Sequence, residues 1–152
     1  MTETERIRDL LDGVYRGPCW YGPTMLQNLE GIDSAYALQQ PIPNAHSIWE
    51  VVRHVTAWIN EVIMVLDGDQ YAVLPTDQDW SEISVDDEAA WQSALGILET
   101  MHRALYDAVG EFPEERLEEL VPGQEFTYSY MLFGLVEHNV YHNGQLGILR
   151  KA

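Results

Sequence analysis

The stretch SIWEVVRHVTAWINEVIMVL, residues 47–66, decides how this chain folds. Ser47 and Glu50 have the spacing of a capping box, in which the serine hydroxyl accepts from the third helical amide and the glutamate reaches back to the cap. Apolar side chains then recur every three or four residues, which places them on one face of a helix. These residues are Val51, Val55, Trp58, Val62 and Val65. The stretch therefore predicts an amphipathic helix that ends before Asp67-Gly68.

Helix-length amphipathic segments also flank this stretch on both sides. They cover residues 4–15, a shorter piece over 23–31, and longer pieces over 84–110 and 127–149. Glycines and prolines separate the segments, and the alternating pattern of a strand is nearly absent. Four principal helices with a long acidic connection over residues 69–82 predict an all-α fold. We expect an antiparallel four-helix bundle with an additional N-terminal helical segment, and a single domain over residues 1–152.

The charge and cysteine content exclude several classes of protein. The chain has 8 Lys and Arg against 25 Asp and Glu, a net charge of −17. This charge argues against binding to nucleic acid or to an anionic membrane surface. Cys19 is the only cysteine, so neither an intrachain disulfide nor a Cys-rich zinc motif can form. No apolar run approaches the ~18 residues that span a bilayer, and residues 1–13 do not resemble a signal peptide, which predicts a cytoplasmic protein.

The last predicted helix carries the most informative polar residues. Its core-facing positions include His138 and His142, where leucine would pack better. The i, i+4 spacing lets both rings project from one face and chelate one metal ion. The pair lacks the glutamate of the zinc-protease motif, because position 139 is Asn. The alternative for such a pair is hydrogen bonding to neighbouring side chains or water.

A third ligand has to come from another helix, and His54 is the candidate. It lies beside the apolar stripe of the helix that begins at Ser47. Three neutral imidazoles would hold a divalent ion and leave coordination positions open, as catalytic sites require. His102 and His46 are assigned structural roles, His102 as a core or boundary residue and His46 in the loop before the Ser47 cap.

Four segments resemble the DinB/YfiT-like superfamily of metal-dependent enzymes. They are GPCWYGPTMLQNLEG (17–31), HSIWEVVRHVTAWINEV (46–62), PTDQDW (75–80) and HNVYHNGQLGILRKA (138–152). The resemblance implies a four-helix bundle that forms a homodimer. It also implies one divalent transition metal ion, nickel or zinc, held by His54, His138 and His142. Gly144 and Gln145 match the small residue and the amide that follow the second helical histidine.

The resemblance further implies the type of reaction. Members of the superfamily include transferases that use low-molecular-weight thiols such as bacillithiol or mycothiol as cosubstrates. The chain is therefore interpreted as a thiol-dependent S-transferase with a small-molecule substrate. A metal ion with open positions can lower the pKa of a thiol or of water. The alternatives are accordingly a metal-dependent hydrolase and a non-catalytic, metal-stapled stress-response protein.

The sequence does not identify a catalytic base. Glu50 lies one turn before His54 and could orient its imidazole by a hydrogen bond without contacting the ion, although the capping box already explains this residue. Glu61 and Glu137 are weaker options. Four aromatic residues could either wall a pocket around the ion or belong to the core: Trp49, Trp58, Tyr130 and Tyr141. Cys19 could supply a thiol ligand or serve as a small apolar residue.

Overall fold

Side-chain caps determine where the helices of this protein begin. In the computed structural model, which describes residues 1–152, Thr2, Thr24 and Ser47 each complete a capping box. The α-helices are α1 (Glu3–Tyr15), α2 (Met25–Leu29), α3 (Ser34–Ala37), α4 (Ile48–Leu66), α5 (Thr76–Asp79), α6 (Glu88–Glu111) and α7 (Tyr128–Leu149). There is no β-strand, and a single isolated bridge joins Leu120 to Thr127. No helix combines the length and the hydrophobicity that spanning a bilayer requires.

The four long helices form a bundle. Helix α6 packs against α1 and α4, and α7 packs against the same two helices from the other side. The 29 buried hydrophobic residues form one continuous cluster, which fills the space between the helices. Trp49 and Trp91 are the largest fully buried side chains. The predicted all-α four-helix bundle is confirmed, with α1 as one of its four helices and α2 and α3 as short additions to the N-terminal part.

The direction of one helix pair differs from the expectation. Trp49, at the start of α4, packs against Trp91, at the start of α6, with ring centroids 5.2 Å apart. These two helices are therefore parallel, and the expectation of a fully antiparallel bundle is wrong for this pair. The physical reason is the connection over residues 67–87, which is long enough to return the chain along the ~28 Å length of α4. Helices α4 and α7 are antiparallel, since Val51 near the start of α4 lines a recess with Leu149 at the end of α7, whereas Val62 near the end of α4 lines another with Met131 in the first turn of α7.

Candidate metal centre

Three histidine side chains meet inside the bundle. His54 comes from α4, and His138 and His142 come from α7. Their ligand nitrogens all lie within 4.8 Å of one another, a group that could hold a metal ion. The Nε2 atoms of His54 and His138 are 3.0 Å apart. The structure thus brings together the three residues that were predicted as ligands.

Oxygen atoms contact the Nδ1 atoms of all three rings. The distances are 2.9 Å and 3.0 Å from His54 to the carboxylate and the backbone carbonyl of Asp79, 2.7 Å from His142 to Gln145 Oε1, and 3.3 Å from His138 to Asn139 Oδ1. Because carbonyl, carboxylate and amide oxygens only accept, each Nδ1 carries the proton in this arrangement. The Nε2 lone pair of every ring is consequently free to bind a ligand.

This arrangement fits a divalent metal ion. With Nδ1 protonated, no hydrogen lies between the Nε2 atoms of His54 and His138, although they are only 3.0 Å apart. A cation between these lone pairs would remove that conflict. An all-imidazole set suits zinc, copper, iron and nickel. Since only three protein ligands converge, a four-coordinate ion would retain one position for another molecule.

Burial keeps the two clustered histidines of α7 neutral, which is the form in which an imidazole can bind metal. Desolvation lowers the pKa of His138 to about 4. Desolvation, together with the nearby His138, lowers the pKa of His142 to about 4 as well. Both imidazoles are therefore neutral at pH 7, as coordination requires.

The connection between α4 and α6 supplies a residue that the sequence interpretation missed. Asp79, at the end of α5, accepts from His54 Nδ1 and from Trp58 Nε1, the latter at 2.7 Å. A carboxylate behind a histidine ligand fixes the tautomer and raises the basicity of the ring. The PTDQDW segment at 75–80 contains Asp79, so the only available signal was the resemblance of that segment, which did not assign the residue a role.

The next residue of the connection covers His54. Trp80 stacks on the His54 ring with centroids 3.9 Å apart and an angle of 4° between the planes. His46 stacks on the opposite face of Trp80 at 3.5 Å and 3°. The indole therefore restricts the rotation of His54, and His46 supports the indole from the loop before α4.

Other candidate residues lie outside the histidine cluster. Glu50 accepts from the Ser47 amide at 2.7 Å and from Gln40 at 3.2 Å, so its bonds belong to the cap, and Asp79 instead of Glu50 contacts His54 Nδ1. Glu61 is buried and accepts from the backbone N–H of Ala72 at 2.9 Å. This bond ties the start of the long connection to α4.

The remaining histidine and the cysteine have local partners. His102 is buried in the bundle, where its Nε2 lies 3.0 Å from Asp12 and its ring stacks on Tyr15. Burial lowers its pKa. Cys19 donates to the carbonyl of Gly22 at 3.0 Å. Neither residue approaches the three ligands closely enough to join them.

An apolar pocket of about 250 Å³ opens beside His138. Its lining consists of Trp58, Val62, Tyr71, Phe126, Tyr130, Met131, Gly134, Leu135 and His138. Two of the four aromatic residues considered as pocket walls, Trp58 and Tyr130, do line it. Of the other two, Trp49 belongs to the core, and Tyr141 is largely exposed, with its ring 5.0 Å from that of His142. Of the three clustered histidines, His138 lines this pocket.

Comparison with known families agrees with this geometry. Residues 23–146 match the family model of the DinB superfamily. The matched region contains all three histidines and Asp79. No curated protein and no solved structure matches the chain significantly. Because the family model covers most of its length, the chain belongs to the DinB superfamily.

Proposed function

We propose that this protein is a metal-dependent enzyme in which His54, His138 and His142 hold one nickel or zinc ion. The observation that supports this proposal is the convergence of three imidazoles within 4.8 Å, with an oxygen atom behind each Nδ1. A structural zinc site normally has four protein ligands, whereas a catalytic site has three and an exchangeable position. The three-residue set therefore favours a catalytic metal site over a purely structural one.

We further propose that the reaction is the transfer of a low-molecular-weight thiol to a small-molecule substrate. A bound divalent ion would lower the pKa of a thiol or of water. No carboxylate belongs to the ligand cluster, and the Asp79 carboxylate is already engaged by His54 and Trp58. A free thiol, with a pKa of about 8.5, is far closer to ionisation at neutral pH than free water, with a pKa of about 15.7, so it needs less help from the ion or from a base. The site therefore favours a thiol as the nucleophile over water.

The chain's own residues have two roles in this proposal. Asp79 raises the basicity of the neutral His54 imidazole and fixes its orientation, as a carboxylate does behind a histidine ligand. Trp80 covers one face of His54 and limits the access of water from that side. Substrate then enters through the apolar pocket beside His138.

We also propose that the protein acts in the cytoplasm as a homodimer, without a nucleic-acid or membrane partner. Membership of the DinB superfamily supports self-association, and Trp20, which is fully exposed, and Tyr141, which is 65% exposed, are candidate contact residues. The net charge of −17 opposes binding to phosphate backbones. Light scattering should give twice the monomer mass of 17.4 kDa. A monomer at micromolar concentration would contradict the dimer.

The experiment that tests the function starts with metal analysis of protein purified without a polyhistidine tag. The metal-loaded protein is then incubated with bacillithiol or mycothiol and 1-chloro-2,4-dinitrobenzene, and separately with a panel of ester and amide substrates. Conjugation that is lost in His142→Ala supports the S-transferase. Hydrolysis without conjugation would replace it with the hydrolase, and bound metal with neither activity would favour the non-catalytic, metal-stapled protein.

A further inference from the structure

The pocket beside His138 differs chemically from the rest of this acidic protein. Seven of its nine lining residues are hydrophobic and none carries a permanent charge. The chain as a whole has a net charge of −17. An uncharged recess next to a polar metal site is the usual form of a pocket that binds the apolar part of a ligand while the polar end reaches the reacting atoms.

Aromatic rings from three separate segments form the walls. Tyr71 belongs to the connection before α5, Phe126 to the loop before α7, and Trp58 to α4. The Tyr71 and Phe126 rings are perpendicular, with centroids 5.3 Å apart, and Trp58 lies 6.3 Å from Tyr71. Such an array presents both faces and edges of rings, which favours an aromatic ligand through stacked and edge-to-face contacts.

From these observations we infer that the pocket binds an uncharged aromatic ring of the substrate, whose reactive end lies at His138. This inference rests on the proposed function for the identity of the reactive end. A volume of about 250 Å³ is below the ~300–1,000 Å³ of sites for drug-sized ligands, so the pocket accepts one ring and not a large ring system. An anionic ring would lose its hydration without gaining a cationic partner, so it is excluded.

Gly134 determines whether the ring can enter. It lies on α7 one turn before His138 and lines the pocket. A Cβ added at Gly134 would meet no atom within 4 Å, so a larger side chain can extend into the pocket without displacing the backbone. Replacing a helical glycine by leucine also favours the helix, so Gly134→Leu should fold. Gly96 on α6 is the matched control, because its Cβ position is equally open and it does not line the pocket.

The test uses the metal-free protein and two ligands with the same ring. Fluorine NMR measures the binding of 4-fluorobenzyl alcohol, which is uncharged, and of 4-fluorobenzoate, which is an anion. We expect the alcohol to bind about tenfold more tightly than the benzoate. Gly134→Leu should weaken binding of the alcohol about tenfold, whereas Gly96→Leu should leave it within about twofold of the original protein.

A second measurement links the pocket to the metal site. Calorimetry on the zinc-loaded protein compares benzyl mercaptan with 2-mercaptoethanol, which has the same thiol and no ring. We expect an advantage of about tenfold for benzyl mercaptan from burial of the ring. Gly134→Leu should remove this advantage and leave both the zinc content and the affinity for 2-mercaptoethanol unchanged.

The outcomes separate this inference from the proposed function. If neither thiol binds but 4-fluorobenzyl alcohol still binds in a manner that depends on Gly134, the pocket is confirmed and the thiol reaction is refuted. If the alcohol does not bind, or binds equally to Gly134→Leu, the inference about the pocket is overturned whatever the thiols do. A change of oligomeric state in Gly134→Leu would instead identify this face as an interface between copies of the chain, and would also overturn it.

Discussion

Replacing Asp79 by alanine should weaken metal binding. The contacts of the His54 imidazole indicate how large the loss of metal affinity should be. Its Nδ1 lies 2.9 Å from the Asp79 carboxylate and 3.0 Å from the Asp79 backbone carbonyl. Loss of a partner behind a histidine ligand typically costs 10–100-fold in metal affinity, that is ~1.4–2.7 kcal/mol. Because the carbonyl remains after Asp79→Ala, we expect the lower end of this range, about tenfold.

The assay is a competition titration of zinc against a chromophoric chelator at pH 7. The matched control is Asp77→Ala, which removes the same charge from an exposed position of α5. Asp79→Asn keeps an acceptor oxygen and loses the charge, so its affinity should lie between those of the original protein and Asp79→Ala. Asp79→Ala should also lower the free energy of unfolding by about 1–3 kcal/mol, because Trp58 Nε1 loses its acceptor at 2.7 Å.

Two results would refute this reasoning. Equal loss of zinc affinity in Asp79→Ala and Asp77→Ala would mean that total charge matters and the bond to His54 does not. Unchanged affinity in Asp79→Ala, with the expected drop in stability, would mean that the backbone carbonyl alone orients the ring.

Four further predictions concern the histidines and the indole that stacks on His54. His142→Ala should reduce zinc affinity at least about a hundredfold, since it removes a ligand. His102→Ala should leave the affinity within about twofold but lower the free energy of unfolding in urea by roughly 1–3 kcal/mol, because Asp12 and Tyr15 lose a buried partner. If the two variants lost zinc equally, the three-histidine site would be wrong. In the metal-free protein, the unfolded chain takes up protons on His138 and His142 near pH 6.5 and the folded chain only near pH 4. The free energy of unfolding should therefore fall as the pH drops from 6.5 to 4, and a flat profile in urea titrations would contradict the pKa values. Trp80→Leu removes the stack on His54, so zinc should cause a smaller change in tryptophan fluorescence than in the original protein; an undiminished change would assign the signal to another tryptophan.

Short sequence patterns correctly predicted the features that depend on interactions between residues close together in the chain. The capping box of Ser47 and Glu50 placed the start of α4 correctly, because the bonds involved span only three residues. The spacing of His138 and His142 likewise predicted that both would lie on one face of α7. At α6 the predicted start near Ser84 was early, since Ser84, Asp86 and Asp87 are all residue types that can cap a helix and only Asp87 does so.

Features that depend on the path of the long connection could not be predicted. Helical periodicity does not report the direction in which a helix runs, so the parallel arrangement of α4 and α6 required the structure. The same holds for Asp79 and Trp80, which reach His54 from 25 and 26 residues further along the chain. Their positions follow from how the connection packs across the bundle, and a single turn of helix such as α5 is too short for its side chains to show a periodic pattern.

The separation of the ligands along the chain has a consequence for folding. His54 and His138 are 84 residues apart, and bringing them together requires α4 and α7 to be docked. An ion that binds only this docked state would stabilise it by ~2.7 kcal/mol at a free concentration 100 times its Kd. Such stabilisation slows unfolding only if the site is lost before the transition state for unfolding. The concentration of free metal in the cell would then determine the rate at which proteases degrade the protein. This effect would be independent of any reaction that the ion supports.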